Sequence, residues 1–82
     1  PDMYRVIFLN DNATPMDFVI EILISIFRHS NDTARDITVE VHEQGASVVG
    51  TYTFEIAEQK AVEATTMSRS HGFPLQIKVE KE

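Results

Sequence analysis

The stretch that decides the fold is LNDNATPMDF, which occupies residues 9–18. Before it, the β-branched and aromatic residues of 3–9 predict a buried strand. Polar residues then interrupt the apolar pattern, and Pro15 opens a long apolar run at helical spacing. The stretch therefore predicts a strand, a polar loop over residues 10–14 and a helix, in that order.

The first helix has clear signals at both ends. Thr14 is a good N-cap, Pro15 suits the first helical position, and Asp17 is favourable in the first turn. The apolar residues between 18 and 27 recur on one face, which predicts a helix that buries this face and ends near residues 28–29.

The next segment fits two structures. Residues 30–33 form a polar break, where Asn31 or Asp32 can cap a second helix. Residues 37–41 alternate like a strand, but their apolar members also fit one face of a helix. Gly45 suits the position just after a helix. By pattern alone, strand and helix both stay open.

A second strand and another helix follow. Residues 46–53 predict the strand, in which Gly50 marks a bulge or a point of close approach. Thr53 can cap an alanine-rich helix that ends at residues 71–72. Pro74 then precedes a last strand over residues 75–79. We expect one small domain over all 82 residues, in the order β-α-(α)-β-α-β.

The charge is acidic, with 13 acidic against 7 basic residues and a net charge of −6. This disfavours binding to nucleic acids, whose protein partners carry basic stripes. It suits a partner that is basic or presents an amine. A general acidic protein-interaction domain, in which the polar side chains are only structural, is the alternative.

Composition argues against other classes of protein. The chain has no cysteine, which removes disulfides, thiolate metal sites and cysteine nucleophiles, and fits a reducing compartment. No apolar run approaches the ~18–20 residues that span a bilayer. The three histidines are far apart, and no nucleophile motif or phosphate loop is present. We expect no membrane association, metal, cofactor or catalytic residue.

Two features indicate a binding site. A single Asx turn explains part of the run Asn10, Asp11, Asn12, but three adjacent polar residues exceed what one turn needs. His42 lies in an apolar stretch, where histidine is often structural, and Met16 could line a pocket mouth. Acceptors beside an apolar surface suit a ligand with a cationic head and an apolar tail, such as a protein amino terminus with a bulky first residue.

These residues also resemble a known family, the ClpS adaptors of the Clp ATP-dependent protease. The similarity extends over essentially the whole chain and lies in four blocks: residues 10–19 (NDNATPMDFV), 41–45 (VHEQG), 50–60 (GTYTFEIAEQK) and 74–81 (PLQIKVEK). The resemblance implies an α+β fold similar to the C-terminal domain of the ribosomal stalk protein. In it, a three-stranded antiparallel sheet packs on three helices, so the segment 37–41 becomes helical.

The resemblance also implies a function. ClpS proteins are monomeric, cytoplasmic adaptors that bind N-degrons, which are proteins whose first residue is Leu, Phe, Tyr or Trp. They deliver these substrates to the N-domain of the ClpA hexamer for degradation by ClpP. The flexible N-terminal tail that delivery requires in the family is expected to be absent from these 82 residues.

Site residues follow from the matching positions. Four residues are expected at the α-amino group: Asn10 and His42 to bond it, Asn12 to reach it through water, and Asp11 to support either the loop or the electrostatic field. Thr14 is expected to contact the ligand backbone. The side-chain pocket is expected to comprise Met16, Val19, Thr38, Val41 and Leu75, with Met16 at its mouth. Glu55 and Lys60 resemble the surface that docks on ClpA.

Two positions depart from the family pattern. Asn12 replaces the usual acid, which removes one negative charge from the amine site. Thr38 replaces a bulky apolar residue, often methionine, and a hydroxyl in an apolar pocket is costly unless it is bonded. We therefore expect a narrower preference for the first residue of the ligand.

Overall fold

The computed structural model describes residues 1–82. Its elements, in chain order, are β1 (Met3–Leu9), α1 (Met16–Ser25), α2 (Asn31–Gln44), β2 (Ala46–Thr53), α3 (Phe54–Ser70) and β3 (Gln76–Lys81). The predicted β-α-α-β-α-β order is confirmed, and the ambiguous segment 37–41 is helical. The alternation of apolar and polar residues in this segment does not produce a strand, because Ala34, Thr38 and Val41 share the buried face of the helix α2.

The three strands form one antiparallel sheet in the order β2-β1-β3. The central strand β1 presents Val6 and Phe8, both 0% exposed, to the helical layer. They belong to a core of 13 buried apolar residues, of which 11 come from β1, α1, α2, β2 and α3, and two, Phe27 and Leu75, lie between elements. The two-layer α+β fold expected from the resemblance is thus the fold observed.

A bulge interrupts the pairing of β1 with β2. Val6 pairs with Gly50 and the next residue, Ile7, pairs with Val48, so Val49 is the extra residue. A Cβ atom on Gly50 would lie 2.6 Å from the Cε2 atom of Tyr52. Both readings of Gly50, as a bulge neighbour and as a point of close approach, are therefore correct.

The ends of α1 differ from prediction. The N-cap is Pro15, which has an extended ψ of 145° and no side-chain cap. Thr14 is not the cap, because its hydroxyl donates to the Asp11 carboxylate instead, at 2.8 Å. The helix ends at Ser25, before residues 28–29, and Arg28 then adopts a positive φ of 62° that reverses the chain.

Two other boundaries are also shifted. The N-cap of α2 is Ser30, whose Oγ accepts from the Thr33 N–H at 3.2 Å, so neither Asn31 nor Asp32 has this role. Thr53 is the N-cap of α3 as predicted, although its side chain makes no capping bond. β3 begins at Gln76, one residue later than predicted, and it continues to Lys81. No helix has the length and apolar character needed to cross a membrane.

Candidate functional site

The ten residues predicted to bind a ligand lie around one cavity of about 280 Å³. The cavity is bounded by the loop after β1, the start of α1, the second half of α2 and the segment before β3. These walls bring together Asn10, Asp11, Asn12, Thr14, Met16, Val19, Thr38, Val41, His42 and Leu75. Their individual roles stay predictions, but their proximity is a structural observation.

The floor of the cavity is apolar and closed. Val19 of α1, Val41 of α2 and Leu75 are 5%, 4% and 1% exposed. Thr38 is also buried, and its hydroxyl donates to the Ala34 carbonyl one turn earlier in α2, at 2.7 Å. The hydroxyl is therefore satisfied within the helix, and the floor holds no unpaired donor.

The rim of the cavity is polar. Asn10, Asn12 and His42 are exposed, and their side chains make no hydrogen bond within the protein. The loop and α2 are joined because the Asn10 N–H donates to the Gly45 carbonyl at 2.9 Å. This bond holds the loop next to the last turn of α2, which carries His42.

The Asp11 side chain, unlike those of Asn10 and Asn12, is hydrogen-bonded within the protein. One carboxylate oxygen accepts from the N–H groups of Ala13 and Thr14, at 2.8 and 2.7 Å, and the other accepts from the Thr14 hydroxyl at 2.8 Å. Partial burial opposes its ionisation, but these bonds and the charge of Arg69 outweigh that effect and lower the pKa of Asp11 below 3.8. Asp11 therefore organises the loop as an Asx turn.

The mouth of the cavity is formed by Thr14 and Met16. Met16 is 42% exposed at the first turn of α1, so its flexible side chain stands between the floor and solvent. Two lining residues, Leu9 and Pro15, were not predicted. Both immediately adjoin predicted residues in the deciding stretch, and that adjacency is the sequence signal that could have identified them.

Glu55 and Lys60 lie on α3 and do not line the cavity. The Lys60 ammonium donates to the Ile26 carbonyl at 2.8 Å, just past the end of α1. It also lies 5.9 Å from the ring centre of Phe27 and 5.5 Å from that of Tyr52. Lys60 thus satisfies a helix terminus, whereas Glu55 is exposed and forms no ion pair.

The chemistry of the cavity follows from its polar rim and its apolar floor. Exposed acceptors above an apolar floor can bind a ligand that has N–H donors at one end and an apolar group at the other. No group of three or more histidine or acidic side chains is placed to hold a metal ion.

Comparisons with known proteins agree with this arrangement. The family model for the ATP-dependent Clp protease adaptor protein ClpS matches residues 1–78. A ClpS adapter protein from Treponema denticola is 48% identical over 99% of this chain and 80% of its own length. One from Maricaulis maris is 45% identical over 100% of this chain and 75% of its own length.

A solved structure shows the same similarity in three dimensions. Agrobacterium tumefaciens ClpS2, determined with bound L-phenylalaninamide, matches with a TM-score of 0.97 and 43% identity, over 100% of this chain and 99% of that one. The match of sequence and of structure extends over the strands, the helices and the polar loop alike. The chain therefore belongs to the ClpS family of ATP-dependent Clp protease adaptors.

Proposed function

We propose that this protein is a substrate adaptor without catalytic activity. It binds the free α-amino group and the bulky hydrophobic first residue of an N-degron, of the Leu, Phe, Tyr and Trp class. It then delivers the substrate to ClpA for degradation by ClpP. A monomeric state and a cytoplasmic location belong to the same proposal. The observation that carries it is the rim of unpaired acceptors above a closed apolar floor.

The rim suits an α-amino group in particular. This group has a pKa of about 7.7–8.0, so it is mostly cationic at neutral pH and offers three N–H donors. Removing it from water is costly unless all three are bonded. The Asn10 amide oxygen and an unprotonated His42 nitrogen can accept two of them, and Asn12 can reach the third through a water molecule.

The floor suits an apolar side chain, but it cannot supply the affinity alone. Burying a leucine or phenylalanine side chain contributes roughly 1.5–3 kcal/mol. Micromolar binding requires about 8 kcal/mol. The contacts with the amine must therefore carry much of the binding free energy. The L-phenylalaninamide held by the Agrobacterium protein combines the same two features, a free amine and an apolar ring.

Thr38 bears on the range of first residues. The expected narrower preference rested on the cost of an unbonded hydroxyl, whereas this hydroxyl is bonded to Ala34. The preference then depends on the room that the short threonine side chain leaves. The variant Thr38→Met tests this by filling the floor, with Val39→Met, on the exposed side of α2, as the matched control.

Docking on ClpA is assigned to the N-terminal turn of α3. Glu55 is exposed there between Phe54 and Ile56, which are 46% and 43% exposed. The Lys60 ammonium is already bonded to Ile26, so its contribution is to hold this region in place. In a pull-down with ClpA, we expect Glu55→Lys to reduce capture while peptide binding stays unchanged.

The decisive experiment is a titration with peptides that differ only at their first residue: Leu, Phe, Tyr, Trp, Ile and Ala, with an N-acetylated Phe peptide as control. We expect tight binding of the bulky residues and none of the acetylated peptide, because acetylation removes the charge and two donors. Equal binding of free and acetylated peptides would instead favour a general interaction domain. No binding at all would refute the proposal.

A further inference from the structure

One charged residue outside the cavity contacts the chain that forms its floor. Arg69 lies in the last turn of α3, is exposed, and does not line the cavity. Its Nη1 atom donates to the carbonyls of Phe73 and Leu75, at 3.0 and 2.9 Å. Arg69 therefore bonds the middle and the last residue of the segment 71–75, which leads from α3 to β3.

The first half of this segment is held to α3 by backbone bonds, including Phe73 N–H to the Ser68 carbonyl at 2.9 Å, whereas its second half has fewer backbone bonds. Pro74, between the two carbonyls, has no N–H to donate, and β3 starts only at Gln76. Leu75, which is 1% exposed, extends from the segment into the floor of the cavity. The Arg69 bonds to the carbonyls on either side of Pro74 therefore restrain the backbone that carries Leu75, in addition to the packing of Leu75 in the core.

The same guanidinium also acts on the neighbouring loop after β1, which adjoins this segment because Leu9 pairs with Gln76. The charge of Arg69 is one of the causes that lower the pKa of Asp11, although the two side chains form no direct ion pair. Asp11 in turn holds the loop that carries Asn10 and Asn12. A single side chain therefore influences both the apolar floor and the polar rim.

We propose that Arg69 is a positioning residue of the ligand pocket. It restrains the backbone that carries Leu75 in the floor through two carbonyl bonds, and its positive charge acts at a distance on the Asp11 carboxylate that holds the rim loop. This inference rests on the proposed function, because it concerns the same pocket. Arginine suits the role because its charge is permanent and the two N–H groups of Nη1 are held in the guanidinium plane, one for each carbonyl.

The test uses three variants of the full chain. Arg69→Gln removes the charge and the two bonds, and Arg69→Lys keeps the charge on a different donor. Arg35→Gln is the matched control, since Arg35 is exposed on α2 and bonds only to Asn31 in its own helix. Affinities are measured for two free-amine peptides that begin with Phe and with Ala, and the folded state of each variant is checked by its thermal transition.

We expect Arg69→Gln to weaken binding of the Phe peptide about tenfold, while the Ala peptide, which barely reaches the floor, changes less. The Phe-to-Ala affinity ratio should fall in Arg69→Gln, fall less in Arg69→Lys and stay constant in Arg35→Gln. A carbon NMR titration of Asp11 should show a higher pKa in Arg69→Gln only, a readout that a general loss of stability would not produce.

An unchanged affinity ratio in both Arg69 variants would overturn the inference. If Arg69→Gln does not fold, the ratio in Arg69→Lys decides alone. Failure of the proposed function is a separate result, because it would appear as wild-type protein that binds neither the Phe peptide nor any other free-amine peptide.

Discussion

The neighbouring polar residues Asn10, Asp11 and Asn12 differ in their hydrogen bonding. Asp11 uses both carboxylate oxygens to hold the loop. Asn10 and Asn12 keep their side chains free of internal bonds and exposed at the cavity rim. One of the three residues therefore makes the turn, and the side chains of the other two are free for the ligand contacts that we propose.

His42 is predicted to accept a hydrogen bond from the amine. We expect His42→Ala to weaken binding of a Phe peptide roughly 10- to 100-fold, since a hydrogen bond to a charged group contributes about 1.5–3 kcal/mol. Isothermal titration calorimetry measures the change. Gln44→Ala, two residues further along α2 and outside the cavity, is the control and should bind as the wild type does. Similar losses in both variants would remove His42 from the site.

The lowered pKa of Asp11 predicts that the stability of the fold depends on pH. Its pKa is lower in the folded chain than the usual 3.8, so its contribution is complete above that value and is lost as the pH falls through the lower folded pKa. We expect Asp11→Asn to lower the free energy of unfolding by about 1 kcal/mol at neutral pH. The difference from wild type should shrink below pH 3.8.

Urea denaturation at several pH values checks this prediction. Asp36→Asn is the control, because Asp36 is exposed on α2 and forms no hydrogen bond or ion pair. A difference between Asp11→Asn and wild type that persists unchanged at the lowest pH would contradict the assigned role of the carboxylate.

At the scale of elements, the site depends on one face of α2 and on where that helix ends. Thr38, Val41 and His42 share one face of the helix because they are three and four residues apart. The helix stops at Gly45, whose φ of 89° turns the chain into β2. The Gly45 carbonyl accepts from the Asn10 N–H, so the end of α2 also determines where the loop lies.

Gly45 can be tested directly. A Cβ atom there would contact nothing within 4 Å, so the cost of a substitution is conformational strain alone. We expect Gly45→Ala to lower the free energy of unfolding by about 1 kcal/mol or more, because alanine is strained at positive φ. Thermal unfolding gives the measurement. Gly45→Asn is the matched control and should lose less, since asparagine tolerates the left-handed conformation. Equal losses would mean that conformation is not the cause.

At the scale of the whole molecule, the net charge of −6 should act on the rate of binding. A negative protein attracts a cationic peptide over a distance that salt shortens. We expect association of a Lys-containing Phe peptide to slow several-fold between about 0.05 and 0.5 M salt, with dissociation nearly constant. Stopped-flow fluorescence measures both rates. A peptide with Glu in place of Lys is the control, and an association rate unaffected by salt for both peptides would exclude steering.

Much of the fold could be predicted from local pattern. Residue composition, helix caps and apolar spacing identified β1, α1, β2, α3 and β3, because these signals act on each element separately. The helical state of residues 37–41 could not be decided in this way, since alternation and a helical face were both present. The N-caps of α1 and α2 were missed because Thr14 and Ser30 each have competing hydrogen bonds available, and the pattern alone does not say which bond forms.

The sequence by itself determined the deciding strand, loop and helix, and the residue types of the site, because these depend on short-range spacing. Through the resemblance, it also placed ten residues that the structure brings around one cavity. Only the tertiary structure decided which polar groups are already bonded, since Asp11, Thr38 and Lys60 find their partners through the folded geometry. The partners of Arg69 were also decided by the tertiary structure. Its bonds to the segment that carries Leu75 depend on where α3 ends and how the chain turns into β3.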